Sequence, residues 1–319
     1  MEVIRINHKH IPYNLASSVA CIGYFDGFHR GHQELMKQTI SSAKKRNCQA
    51  ALISFDPDPW EIFNPNTRYT HVTTVYDRID LAEAMGFDVF YILTFSLEFS
   101  KLHTSEFHDL LHSLKVEKLI CGFDFQYGTK NSGNIHTLKN QDFFDVHVVD
   151  SVQDGLGKIS TSRIESLIQE GDFIQVSQLL GYAYSVDGKV VHGFKRGSTI
   201  LQIPTANLDM DPEYIQPGLG VYAGFVLWNG DCYPAMINIG KNPTFDNEMV
   251  TLEAHILDFH ESIYDEQVRF GFLEKIRSEQ KFANVHALKA QLLKDILTTR
   301  GLCKKNQQFM LKTYSYFKK

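Results

Sequence analysis

The residues best suited to chemistry come early. Residues 23–32 read Gly23-Tyr24-Phe25-Asp26-Gly27-Phe28-His29-Arg30-Gly31-His32, between a short apolar run and a helical one. A strand-to-helix turn gathers unpaired backbone N–H groups and the positive end of the helix dipole at one point, which suits an anion. Gly27 and Gly31 permit close backbone approach. His29 and His32 flank a glycine and can donate to phosphate oxygens as negative charge grows in a transition state. A lone loop histidine is usually an ordinary surface residue; H-x-G-H at a strand–helix junction reverses that reading. A second glycine-rich string, Gly155-Leu156-Gly157-Lys158-Ile159-Ser160, is not a P-loop, because position 152, where its first glycine belongs, is valine.

Such a turn needs a sheet to hold it. Residues 19–24, 50–55, 89–95, 119–123 and 146–149 are short apolar runs that read as strands. Residues 31–45, 75–85, 105–114 and 162–169 have helical spacing. Leu35, Ile40 and Ala43 share one face of the first of these, Gly86 stops the second and Gly171 lies near the end of the last. Near-continuous apolar strands separated by helices predict a parallel sheet buried on both faces, with ligands beyond its carboxyl ends. The pattern changes after Gly181. Short β-type runs at 189–191, 221–227, 235–239, 251–257 and 267–272, among frequent Gly and Pro, predict a barrel or sandwich. Leu288, Leu292 and Ile296 make residues 285–297 an amphipathic helix, and residues 309–317 read as another. Two domains follow, 1–180 and 181–319, with the boundary near 178–184.

Composition agrees with two globular domains. The chain has 319 residues, 43% hydrophobic and 22% charged, which excludes disorder and repeat fibres as the main architecture. No run of 18 apolar residues provides a spanning helix, and residues 1–10 alternate without the apolar core of a secretory signal. A net charge of -5 argues against a nucleic-acid partner but not against small anions at donor-rich sites. Lys44-Lys45-Arg46 and Lys304-Lys305 read as solvated faces. The 5 cysteines are scattered and form no C-x-x-C pair, so reduced cytoplasmic thiols are expected rather than a disulfide framework or a zinc site.

The string G-x-F-D-G-x-H-x-G-H resembles the nucleotidyltransferase signature in the form found in bacterial bifunctional riboflavin kinase/FMN adenylyltransferases, the FAD synthetases. Other segments recur in order. Phe55-Asp56-Pro57-Asp58-Pro59 resembles the F-x-P-x-P loop, with Asp58 where the family often has His. Residues 121–128 resemble its G-x-D-F-x-F-G strand and loop, and Ile159-Ser160-Thr161-Ser162-Arg163-Ile164 resembles the start of I-S-S-T-x-x-R. The resemblance implies a Rossmann-like α/β domain in which Gly23, Phe25, Gly31, Ser160, Thr161, Ser162 and Arg163 hold ATP. It makes His29 and His32 catalytic and places Asp124 against flavin. Glu165 stands where the motif closes with arginine, and a carboxylate there repels a triphosphate. Arg163 lies two residues away, on a different side of the helix.

The second half is similar to the riboflavin kinase domain. Its marks are Gly188-Lys189-Val190-Val191-His192-Gly193, then Lys195-Arg196-Gly197, then Pro204-Thr205-Ala206-Asn207. Residues 220–223, 238–245 and 253–259 match G-V-Y-A, N-I-G-x-N-P-T-F and E-x-H-I-L-D-F, and residues 277–282 match R-x-E-x-K-F. The resemblance implies a β-barrel kinase with terminal helices, in which Gly188, Lys189, Gly193, Lys195 and Arg196 hold ATP and Asn242 and Arg277 touch flavin. Thr205 and Asn207 offer neutral hard oxygens suited to Mg²⁺, and Glu253 is the base for the ribityl hydroxyl. The loop at 198–203 departs from the family, lacking its arginine and second glycine.

Together these features imply a cytoplasmic transferase that uses ATP and Mg²⁺ to convert riboflavin to FMN and FMN to FAD. Its partners are small molecules, not nucleic acid or membrane, and it is a monomer or weakly self-associating. Two other readings remain: a paralogue keeping one activity, the kinase before the adenylyltransferase, and a non-catalytic flavin or nucleotide sensor. Turnover separates them.

Overall fold

A computed structural model describes residues 1–192, 204–243 and 248–318. The apolar runs of the first half form a six-stranded sheet from β1 (Glu2–Ile6), β2 (Ser18–Ile22), β3 (Gln49–Asp56), β4 (Val89–Thr94), β5 (Val116–Gly122) and β6 (Asp145–Val149). The order is β1-β4-β3-β2-β5-β6, and every pairing is parallel. β2 is buried at all five positions, as a strand covered on both faces requires. From β2 the chain moves to β3 and β4 on one side, then crosses to β5 on the other. The order therefore reverses between β2 and β5, and this reversal opens a crevice at the carboxyl ends of those two strands.

Helices α1 (Arg30–Arg46), α2 (Pro59–Phe63), α3 (Val75–Met85), α4 (Thr104–Ser113) and α5 (Ile135–Lys139) connect the strands. In α1 the buried positions include Leu35, Met36, Thr39 and Ala43, and the exposed Lys44, Lys45 and Arg46 fall in the last turn, where they oppose the negative dipole end. A short hairpin, β7 (Gln153–Asp154) and β8 (Gly157–Lys158), occupies the glycine-rich string that is not a P-loop.

After α6 (Thr161–Glu170) and α7 (Phe173–Leu180) come β9 (Ser185–Val191), β10 (Ala206–Met210), β11 (Gly220–Trp228), β12 (Asp231–Pro243), β13 (Glu248–Ile256) and β14 (Gln267–Arg277). They close a barrel in the order β10-β13-β12-β11-β14-β9, with every pairing antiparallel. Phe225, Ile237, Ala254, Phe270 and Phe272 are fully buried. Phe173 of α7 stacks on Phe272 with ring centroids 4.7 Å apart. Helices α8 (Val285–Lys305) and α9 (Gln307–Phe317) end the chain.

Two compact units result: Met1–Tyr69 with Thr73–Ser160, and Thr70–Val72 with Thr161–Lys319. The expected cut near 180 differs from this division. Helix α7 escaped the sequence reading, and its Phe173 joins the aromatic core of the barrel, so α6 and α7 pack with the second unit. Strand β1 also went unread, because its alternation is that of an edge strand, with Glu2 and Val3 exposed.

Phe225 and Gly271 face each other in register, and a Cβ on Gly271 would stand 2.1 Å from the Phe225 ring. Gly271→Ala should therefore lower stability by about 1–3 kcal/mol, the cost of overpacking a core, measured by urea denaturation.

Candidate active sites

The loop after β2 is held in a strained shape. Phe25, Gly27 and Phe28 all have positive φ, at 56°, 75° and 35°. For phenylalanine this conformation costs energy and persists only where the surroundings enforce it. Phe25 and Phe28 are 3% and 0% exposed. Buried Asp26 accepts the backbone N–H and the hydroxyl of Thr73, each at 2.8 Å, and Thr73 Oγ1 accepts the Gly27 N–H at 2.8 Å. The Phe25 ring folds back over Gly23, where a Cβ would lie 2.9 Å from it. Arg78 of α3, also buried, donates to the Tyr24 carbonyl at 2.8 Å and the Ser54 hydroxyl at 2.7 Å.

His29 then caps α1. Its Nδ1 accepts the His32 N–H at 3.2 Å. The two imidazoles stack at 3.6 Å, and the Phe25 ring meets His32 edge-on at 5.2 Å. A side chain at Gly31 would collide with His29, at 2.9 Å. Burial pushes the His29 pKa down to about 4. Burial, and next the neighbouring His29, hold His32 well below its ordinary value. Both rings are neutral at physiological pH. Because His29 Nδ1 accepts a hydrogen bond, that bond assigns its proton to Nε2, making Nε2–H a donor. Across the crevice, after β5, Asp124 accepts Lys158 Nζ at 2.5 Å, and Lys158 lies 4.9 Å above the Phe123 ring.

In the barrel, one cross-strand row carries the polar groups. Asn207 pairs with Glu253, Glu253 with Asn238, Asn238 with Val221, and Val221 with Arg277. Residues directly opposite in antiparallel strands share a face. Glu253, Asn238, Val221 and Arg277 of this row, with Thr205, Phe282, Leu288 and Leu292, border a cavity of about 330 Å³. A second cavity of about 370 Å³ is lined by Val190, Phe259, His260 and Tyr264, and Thr205 borders both. Burial raises the Glu253 pKa, while the Thr205 hydroxyl donates to its carboxylate and lowers it. Arg277 Nε bonds Asp295 at 2.8 Å, and Gln291 bonds the other oxygen of Asp295 at 2.7 Å. Asp295 is 1% exposed, so the arginine is aimed from a buried anchor.

The riboflavin kinase family matches residues 180–303, and the FAD synthetase family matches residues 11–163. A bifunctional riboflavin kinase/FMN adenylyltransferase from Listeria monocytogenes is 38% identical over 89% of this chain and 92% of its own. The Bacillus subtilis protein of the same name is 34% identical, over 92% of this chain and 96% of its own. The chain belongs to the bifunctional riboflavin kinase/FMN adenylyltransferase family. A solved structure titled as a macrolide-efflux protein from Streptococcus pneumoniae shares the family fold, with a TM-score of 0.88 and 34% identity over 94% of this chain and 99% of that one. Among the described residues, no helix of this chain is long and apolar enough to cross a membrane.

Within that family frame, the sequence-predicted residues divide into groups. Gly23, Phe25 and His29 lie on the loop after β2 and Gly31 and His32 on the first turn of α1, and Asp124 follows the neighbouring strand β5. Ser160 ends the first unit, while Thr161, Ser162 and Arg163 open α6 in the second. Arg163 and Glu165 flank buried Ile164, on opposite sides of that helix. Thr205, Asn207, Glu253 and Arg277 gather at the barrel row. The glycine at 188 answers to packing, because a Cβ there would meet the Asp209 carbonyl at 2.4 Å. Lys189 pairs with Asp265 at 2.8 Å. Gly193, Lys195, Arg196 and the loop at 198–203 lie outside the described residues. Asn242 lies on β12, and its side chain is outside them too. Four residues escaped the sequence reading: Thr73, Arg78, Lys158 and Asp295. Thr73 and Arg78 act through partners dozens of residues away, which leave no local signal. Lys158 sat in the rejected glycine string.

The buried histidine makes acid destabilising. An unfolded imidazole takes a proton near its ordinary value of 6.5, and His29 in the fold does so only near 4. Stability from this group is therefore present above 6.5 and lost as pH falls toward 4. Between pH 7 and pH 5 the loss is about 2 kcal/mol. His29→Asn keeps a capping side chain without titrating. Urea denaturation at the two pH values should show a drop smaller by that amount in the variant.

Proposed function

We propose that the barrel transfers the γ-phosphoryl group of ATP to riboflavin, giving FMN and ADP, and that the first unit joins FMN to a second ATP, giving FAD and pyrophosphate. The observation that carries the first half is the barrel row, where Glu253 and Asn207 stand in register and Thr205 borders both cavities. Riboflavin occupies the cavity edged by Phe282, Leu288 and Leu292, and ATP the one edged by Tyr264. Glu253 accepts the proton of the ribityl hydroxyl. Its raised pKa suits a base working near neutrality.

Thr205 and Asn207 fit a divalent ion of the Mg²⁺ type. They offer oxygen donors beside a carboxylate, a donor set that suits a hard cation. Such an ion supplies charge neutralisation for the transferring phosphates.

In the first unit, the FMN phosphate needs no base, because it is already an anion. A phosphate oxygen forms a bond to the α-phosphorus of ATP, the bond to the bridging oxygen breaks, and pyrophosphate leaves. His29 Nε2–H, His32 and the N–H groups at the start of α1 bond the phosphates as charge shifts to the leaving group. Ser160, at the end of the same unit, adds a hydroxyl donor. The reactants and the free thiols suit a cytoplasmic setting.

Glu253→Gln should abolish FMN formation from riboflavin while FAD formation from supplied FMN persists, read by chromatography of the full chain. Loss of both in a folded variant would refute separate sites. Glu165 favours a narrower reading in which adenylyl transfer is weakened. On that reading Glu165→Arg raises the rate of FAD synthesis by about tenfold, the worth of one charge-assisted phosphate contact; an unchanged rate removes it.

A further inference from the structure

Neither histidine of the phosphate loop brings a charge, because burial keeps both neutral. The residue at 165 is a carboxylate where the family motif has arginine. An adenylyltransferase site still needs positive charge where pyrophosphate departs. Lys158 stands where that need arises. It ends β8, and the next residue, Ile159, puts its carbonyl 3.8 Å from where a Gly31 Cβ would lie. Lys158 is thus beside the start of α1, and its charge is felt by both imidazoles. Its Nζ is meanwhile held at 2.5 Å by Asp124, across the β2–β5 crevice.

The tether is exchangeable. The two side chains are 48% and 56% exposed, and a pair so open to water is a weak restraint. A polyphosphate offers the ammonium several oxygens in place of two, with more charge. Lysine suits this role, as a compact charge on a flexible stem.

We infer that Lys158 is a phosphate-binding residue of the adenylyl-transfer site, whose ammonium exchanges its pairing with Asp124 for the β- and γ-phosphates of ATP. This rests on the adenylyl-transfer reading above and extends it to a residue outside the recognised motifs. The exchange also gives Asp124 a second part. It loses its cation when the nucleotide arrives, which frees its carboxylate toward the second substrate.

The test uses the full chain in both directions: FAD from FMN and ATP, and FMN and ATP from FAD and pyrophosphate. The reverse reaction reads the adenylyl-transfer site alone, since the kinase has no part in it. Lys158→Ala should raise KM for ATP and for pyrophosphate by about tenfold, the scale of one charge-assisted hydrogen bond. Lys158→Arg should restore most of the loss. FMN formation from riboflavin should be unchanged, which reports an intact fold. Asp124→Asn should move the other way, lowering KM for pyrophosphate by about threefold, the scale of one exposed ion pair. An opposite sign for the two variants is not what loss of a structural ion pair gives. If the wild-type chain interconverts FMN and FAD but KM for pyrophosphate is the same in both variants, the role of Lys158 is refuted and the reading of the site stands. If the wild-type chain is inert in both directions while making FMN, the reading of the site falls and Lys158 with it.

Discussion

One hydrogen bond sets the character of the first unit: the His32 N–H donates to His29 Nδ1. It caps α1, so one of the helix's unpaired donors is satisfied by a side chain rather than by ligand or water. It also decides where the neutral imidazole keeps its proton. A ring that accepts at Nδ1 must donate at Nε2, and a buried ring cannot become a cation without losing stability. The loop before it serves this bond. Three positive φ angles turn the chain sharply enough to bring His29 over the start of α1, and Thr73, just before α3, and Arg78, within it, hold that turn through Asp26 and the Tyr24 carbonyl. Gly31 is required because the capping ring occupies the space a side chain would need.

The barrel solves its own problem differently. Its interior is apolar, and Glu253, Asn238 and Arg277 of the polar row face instead a cavity bordered by α8. The deepest positions of α8 are Asp295, Thr299 and Cys303 rather than its leucines. Burying a carboxylate is costly unless it is paired. Asp295 is paired with Arg277, which thereby gains a fixed direction along the cavity wall. Leu288 and Leu292, half-buried, are left to line the space.

The architecture was legible because its causes are local. Apolar runs such as 19–22 read as strands covered on both faces, and turn-rich alternation after 181 reads as a barrel or a sandwich. The H-x-G-H spacing pointed to the phosphate loop for the same reason. Tertiary causes were not legible. Thr73 gives no sign that it will bind Asp26, and residues 173–180 give none that Phe173 will meet Phe272. Lys158 was discounted with a motif that failed on spacing. The amphipathic reading of α8 found Leu288 and Leu292 but not the buried charge at 295, which a hydrophobic stripe cannot announce.

The proton of His29 is the most direct test of this account. Nitrogen chemical shifts of the histidine-labelled full chain distinguish the two neutral tautomers from the imidazolium. At neutral pH His29 should be neutral, with Nε2 protonated and Nδ1 bare, and should titrate only near 4. A proton on Nδ1, or an imidazolium at neutral pH, would contradict the capped, neutral phosphate loop on which the rest is built.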